Sequence, residues 1–200
     1  MTITASRIRF TAKLFRPKAT AKAVSWTFLT LPKHASLKLP SRGMTSVEGT
    51  LNGFPIRATL EPDGQGGHWL RVDRKMRETV GAEVGDLITL EIAPVAVEPE
   101  PEVPDDLRKS LATAPPKASA TWSDITPLAR RDWIHWITSG KRAETRAKRI
   151  DVAMSKLSAG DRRPCCFDRS GMYSKSLSCP VADAAELGRS ADGYRNTSRR

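Results

Sequence analysis

The sequence predicts an α+β chain of two domains, a small β-barrel followed by a small all-α helical domain. Three observations carry this. Apolar residues alternate with polar ones in residues 6–94, as in Ile8, Phe10, Ala12 and Leu14. Apolar residues recur at helical spacing in residues 105–180, as in Ala129, Trp133, Trp136 and Ile137. Between the two lies APVAVEPEPEVP, whose alternating Pro, Glu and Val permit neither a helix nor a packed sheet. Residues 95–104 therefore read as an acidic Pro-rich linker and domain boundary.

The first strand is expected over residues 7–15 and the second over 24–31, closed by Pro32. A helical turn at 33–37 follows, then LPSRG, whose Pro and Gly punctuate the chain. Strands at 46–51 and 54–60 flank Asn52-Gly53. This pair is a strong hairpin signal, because a type I′ turn needs positive φ at both central positions. Pro55 must then lie at an edge or a strand start. DGQGG (63–67) makes the next turn before a strand at 68–72. Its glycines invite a phosphate-cradling reading, but the GxxxxGK[ST] spacing is missing and no long helix follows, so a hairpin loop is expected. Asp73 caps a helix over 74–80, Gly81 stops it, and the last strand is 87–92. WTFLTLPKHAS and WLRVDRKMR both run strand into short helix, a faint internal repeat. Two such halves can close into a pseudo-symmetric barrel that leaves no exposed edge.

In the second half, Pro104 suits the first turn of a helix over 105–114, which Pro115 and Pro116 end. Thr126-Pro127 reads as an N-cap and first helical position, with the helix running to about residue 139 and stopping at Gly140. A further helix over 143–158 carries the stripe Ala143, Ala147, Ile150, Met154 and Leu157. The two stripes are expected to face each other in a helical hairpin. Small and polar residues dominate the C-terminal stretch, so 181–200 is expected to be a disordered tail.

The formal net charge is +11. Residues 1–94 carry 14 Lys/Arg against 8 Asp/Glu, and residues 105–168 carry 13 against 8, so the charge is not a single basic tail. That distribution permits an anionic partner, protein or nucleic acid, without naming one. Ten Lys/Arg against four Asp/Glu lie between Arg130 and Arg163, the densest basic stretch. Within it and at its end, Arg146, Lys148, Arg149, Lys156, Arg162 and Arg163 are the candidate anion-binding residues; a solvated helix face is the plainer reading. Glu144 and Lys148 are spaced for an i,i+4 pair. The tryptophans could stack on bases, yet their helical spacing reads first as core.

Catalytic and metal chemistry find little support. His34, His68 and His135 are far apart, and none has a ligand at metal spacing. His135 falls on the polar side of its helix and is expected to be exposed. A nucleophile elbow does not occur. The chain is therefore expected to need no cofactor or metal and not to be an enzyme. Cys165 and Cys166 stand beside Arg162 and Arg163, which can lower a thiol pKa. With no CxxC spacing, the plainer reading of all three cysteines is small buried hydrophobes in a reducing compartment. No apolar run approaches the roughly 20 residues that span a bilayer, and the N-terminal stretch lacks a signal-peptide apolar region, so a cytoplasmic protein is expected.

Two stretches resemble known families. LPSRG, VEGTLNGFPIRATL and GAEVGDLITLEI resemble a bacterial domain of unknown function, family 1905, over residues 6–94. That resemblance implies a double-split β-barrel related to the swapped-hairpin barrel of AbrB- and MazE-type proteins. WITSGKRAETRAKRI, with Trp122, Pro127, Arg130, Arg131 and the RRPCCFD that follows, resembles the YdeI or OmpD-associated family, also labelled bacteriocin protection. The match runs over about 104–180. Its motif residues are Trp133, Trp136, Lys141, Glu144, Thr145, Arg146, Arg149, Cys165 and Cys166. Ala143 stands where many members have proline. The resemblance implies a bacterial protein linked to tolerance of antimicrobial peptides, with no established catalytic residue. The resulting expectation is a non-enzymatic binding or interaction protein in stress or bacteriocin tolerance. Two alternatives are kept: a nucleic-acid binder using the basic helical face and the AbrB-like barrel, and a thiol-dependent redox protein at Cys165 and Cys166.

Overall fold

A computed structural model describes residues 7–18, 25–140, 142–165, 168–172 and 177–183. The chain divides into two compact units. The first runs to Ala96 and regains the chain from Ser170; the second is Val97–Arg169.

The first unit is, among the described residues, a six-stranded, nearly closed antiparallel barrel. Its strands are β1 (Ile8–Lys13), β2 (Thr27–Thr30), β3 (Thr45–Leu51), β4 (Phe54–Pro62), β5 (His68–Val72) and β6 (Leu87–Pro94), in the order β1-β6-β3-β4-β5-β2. Two short helices interrupt them, α1 (Lys33–Ser36) after β2 and α2 (Arg74–Thr79) after β5. Closure comes from Phe15 and Phe28, which exchange both backbone hydrogen bonds at 2.8 and 2.9 Å. Strand alternation turns Ile8, Phe10 and Ala12 inward, and they meet Leu29, Val47, Leu60, Leu90 and Ile92 in an aliphatic core.

Local chemistry explains the turns. Asn52 and Gly53 have φ of 48° and 87°, as a type I′ hairpin demands. The Asn52 side chain also accepts from the Thr89 N–H at 2.9 Å, which ties the hairpin to β6. Pro55 pairs with Thr50 in a part of β4 that β5 does not reach, since those strands pair only at Glu61–Trp69 and Pro62–His68. Its missing N–H therefore breaks no ladder. Gly49 is required by close approach: a Cβ there would lie 2.0 Å from the Glu91 carbonyl oxygen. Asp73 caps α2 by accepting from the Met76 N–H at 2.8 Å. The internal repeat is visible as two strand-to-helix units whose strands pair with each other, Leu29 opposite Leu70.

The C-terminal segment differs from expectation. The described residues from Ser170 onward belong with the barrel, not with a helical domain reaching 180. Lys18 N–H donates to Val181 O at 2.7 Å and Asp183 N–H to Arg16 O at 2.9 Å. Backbone pairing holds this polar stretch, so composition alone misread residues 181–183 as tail. Residues 184–200 lie outside the described residues.

The second unit contains, among the described residues, α3 (Asp105–Ala112), α4 (Pro116–Asp124), α5 (Pro127–Thr138) and α6 (Ala143–Ala159). Helix α4 was not expected. Pro115 and Pro116 had read as a stop, yet Pro116 occupies the first helical position, where a missing N–H costs nothing. Helix α6 lies mainly against α4 as well as α5, so the expected hairpin is part of a larger cluster. The added neighbour changes which face of α6 is covered: Ile150, Ala153 and Leu157 are buried, while Ala143 and Ala147 are exposed. Thr126 caps α5 by accepting from Ala129 N–H at 3.3 Å.

The acidic stretch is not a free tether. Glu98 pairs with Arg131, Glu100 pairs with Arg130 at 2.6 Å, and Val103 packs on the helical core. Residues from Val97 onward therefore belong to the helical unit.

Candidate functional site

The candidate residues of the helical unit are drawn into internal contacts. Arg146, from the exposed side of α6, forks onto Asp106 of α3, with Nη2 donating to Oδ1 at 2.8 Å. That hydrogen bond is the main reason the Asp106 carboxyl is lowered from 3.8 to about 2. Arg149 donates to the Trp136 carbonyl and to Ser139 Oγ at 2.7 Å, and its guanidinium stands 5.3 Å from the Trp136 ring centre. It thus closes the end of α5. Lys156 donates to Asp161 at 3.3 Å and faces the Cys165 thiol, and both contacts raise its pKa. Arg162 pairs with Asp124. Lys148 has no such partner among the described residues, and the Glu144–Lys148 pair does not form there. Glu144 and Thr145 are exposed on the first turn of α6. Lys141 and Cys166 lie outside the described residues.

Arg163 has a different role. It pairs with Asp132 of α5, whose side chain is only 2% exposed, and Arg169 approaches the same Oδ2 at 3.2 Å. Burial pushes the Asp132 carboxyl up, and the guanidiniums of Arg169, Arg163 and Arg131 oppose it. Next along the helix, Arg130 straps three segments together. Its Nε donates to Trp122 O at 3.0 Å, its Nη2 to Ser123 O at 2.8 Å, and its Nη1 reaches Glu100. Trp133 is fully buried and meets Trp136 edge to face at 5.8 Å. Trp133 is core, and Trp122 and Trp136 pack partly buried against it. His135 is half-buried rather than exposed, and burial first, then Arg131, lowers its pKa. It lies three residues after the buried Asp132, on the same side of α5, which a simple two-sided helix does not anticipate.

The cysteines divide. Cys165 is exposed, against the expectation of a buried hydrophobe. Cys179 is half-buried in the barrel unit, where burial, with Asp63 and Glu61, pushes its thiol up to about 12. A thiol pushed up in this way holds its proton at neutral pH.

Sequence reasoning missed a site in the barrel unit. His68 opens β5 and is fully buried; its Nε2 lies 3.1 Å from the Gly43 carbonyl and its Nδ1 3.3 Å from Ser36 Oγ. Ser36 Oγ also accepts from the His68 backbone N–H at 3.1 Å. A neutral ring with Nε2–H donating to Gly43 satisfies every atom, and burial lowers the His68 pKa accordingly. Ser36 is buried as well, so this pair latches α1 to β5 and offers no nucleophile to solvent. On the solvent side a cavity of about 470 Å³ is lined by Leu31, Lys33, Leu37, Arg42, Met172 and, from DGQGG, Asp63, Gln65, Gly66 and Gly67. The DGQGG loop is the β4–β5 hairpin, as expected. Asp63 Oδ1 accepts from Gln65 and Gly67 N–H at 2.7 and 2.8 Å, and Arg42 donates to Gly66 O at 2.9 Å. LPSRG and DGQGG were both visible as turns, but only barrel closure places Arg42 of one beside the other.

A small antiparallel barrel followed by an ion-paired helical unit defines a two-module chain. Residues 10–92 match the family model described as a domain of unknown function (DUF1905). Residues 100–160 match the one described as Bacteriocin-protection, YdeI or OmpD-Associated. The two family models match in that order along the chain, and the helical match ends at 160 where a resemblance to 180 was expected. No curated protein matches the chain.

Proposed function

We propose that this chain is a bacterial, cytoplasmic, non-enzymatic binding protein that contributes to tolerance of antimicrobial peptides, with its helical unit as the recognition module. The match of residues 100–160 to the bacteriocin-protection family carries this reading. The arrangement of the motif residues supports it. Trp133, Arg146 and Arg149 hold helices to one another, and Asp132 anchors Arg163 and Arg169. A frame already ordered in this way loses little conformational entropy when a partner docks. Deleting the gene in its host should increase killing by cationic peptides, and restoring the full chain should reverse it. Killing curves that coincide for the deletion and the parent refute the reading.

A further inference from the structure

We infer that the barrel cavity beside the DGQGG loop is a binding site for a small amphipathic anion, with an oxyanion head of carboxylate or phosphate type on Arg42 and Lys33 and an aliphatic body on Leu31, Leu37 and Met172. This inference rests on the barrel alone and is independent of the peptide-tolerance reading.

The volume, about 470 Å³, falls within the range of ordinary small-molecule sites. Its two cations have no carboxylate partner among the described residues. That separates them from Arg146, Lys156, Arg162 and Arg163 of the helical unit, each of which holds an acid. Arg42 is nevertheless held in place, because Nη1 donates to the Gly66 carbonyl. One hydrogen bond leaves the rest of its planar fork for a bidentate acceptor. The acid in the lining, Asp63, is turned to its own loop, where Oδ1 takes two backbone N–H groups. Two cations against one acid leave the cavity net positive.

The apolar part of the lining points to the rest of the ligand. Leu37 is 54% exposed and Met172 is 50% exposed, and both line this cavity. Large apolar side chains left in water beside cations that hold no carboxylate among the described residues fit a molecule that is oily at one end and anionic at the other. Behind the wall the buried His68–Ser36–Gly43 latch sets the positions of α1 and of the loop that carries Arg42.

Titration of the full chain with octanoate, followed by amide NMR shifts, tests the site. Octylammonium and inorganic phosphate serve as probes of charge and of the apolar body. Octanoate is expected to shift Lys33, Arg42, Gly66 and Gly67, with octylammonium and inorganic phosphate both much weaker. Arg42→Gln should weaken octanoate by about tenfold or more, as loss of a charge-assisted fork implies, and Lys33→Gln and Leu37→Ser by less. Arg42→Lys should fall between the parent and Arg42→Gln. If Arg42→Gln fails to fold, Lys33→Gln and Leu37→Ser carry the test. Octylammonium binding as well as octanoate overturns the anionic head, and phosphate binding as well as octanoate overturns the aliphatic body. No shift at these residues at millimolar octanoate overturns the site.

Discussion

The barrel and the helical unit bury polar groups in opposite ways. Inside the barrel the buried histidine is kept neutral and bonded to a hydroxyl and a carbonyl. The helical unit instead buries a carboxylate, Asp132, under two arginines, and pins its leading acidic segment with two more. A neutral pair costs little to desolvate, whereas a buried ion is tolerable only while its partners stay in place. The barrel should therefore respond mainly to backbone and packing changes, and the helical unit also to loss of a single charge.

The largest effect expected is at Trp133, which is fully buried and central to the helical core. Trp133→Ala should cost about 3–5 kcal/mol, the range for truncating a buried aromatic. A unit of this size has a total stability of similar order, so the substitution removes most of it. Hydrogen exchange should show lost protection in α4, α5 and α6 with the barrel strands unchanged. Trp133→Phe should be milder, since the buried indole N–H has no partner to lose. Equal loss of protection in both units would break the comparison.

How far the sequence disclosed these units follows from the range of the interactions involved. The barrel strands were readable because alternation, Asn52-Gly53 and Asp73 act over a few residues. The helix caps Thr126-Pro127 were readable for the same reason. Helix α4 was hidden because proline both ends one helix and begins the next. The acidic stretch looked solvated because its cations, Arg130 and Arg131, lie about thirty residues on. The basic face looked available because the acids that hold it, Asp106, Asp124 and Asp132, come from other helices. The barrel cavity needs residues 31–42, 63–67 and 172 in one place, which no periodicity reports.

The second effect isolates the buried charge. Asp132→Asn keeps the shape of the side chain and removes its negative charge, leaving Arg163 and Arg169 facing a neutral amide. Breaking one member of a buried pair costs about 3–5 kcal/mol when the orphan stays buried. Here Arg163 and Arg169 are 43% and 38% exposed and regain water, and burial already disfavours the charged Asp132, so at most about 2 kcal/mol is expected. Urea unfolding of the helical unit measures it. Arg162→Gln, which breaks a pair exposed on both sides, should cost at most about 1 kcal/mol. Equal costs for the two would remove the distinction between buried and surface ions in this unit.

The smallest effect concerns the neutral histidine of the barrel, and its sign follows from burial. The folded His68 pKa lies below 6.5, so between that folded value and 6.5 the unfolded chain binds more protons than the folded one. Its contribution to stability is present above pH 6.5 and is lost as the pH falls from 6.5 to the folded pKa. Protonation would also put a second N–H on the ring, so Ser36 Oγ could no longer donate to Nδ1 and its hydroxyl hydrogen would be left without that acceptor. His135 titrates in the same direction, so the two units must be followed separately. Amide protection in β2 and β5 should fall on going from pH 7 to pH 5, and Ser36→Ala should lower it at both pH values by leaving the ring and one backbone N–H short of a partner. In His135→Gln the barrel response should persist unchanged. A barrel whose protection is flat from pH 7 to pH 5 would show that the His68 latch tolerates charge, and the contrast between the neutral and the ionic interior would then lose its pH signature.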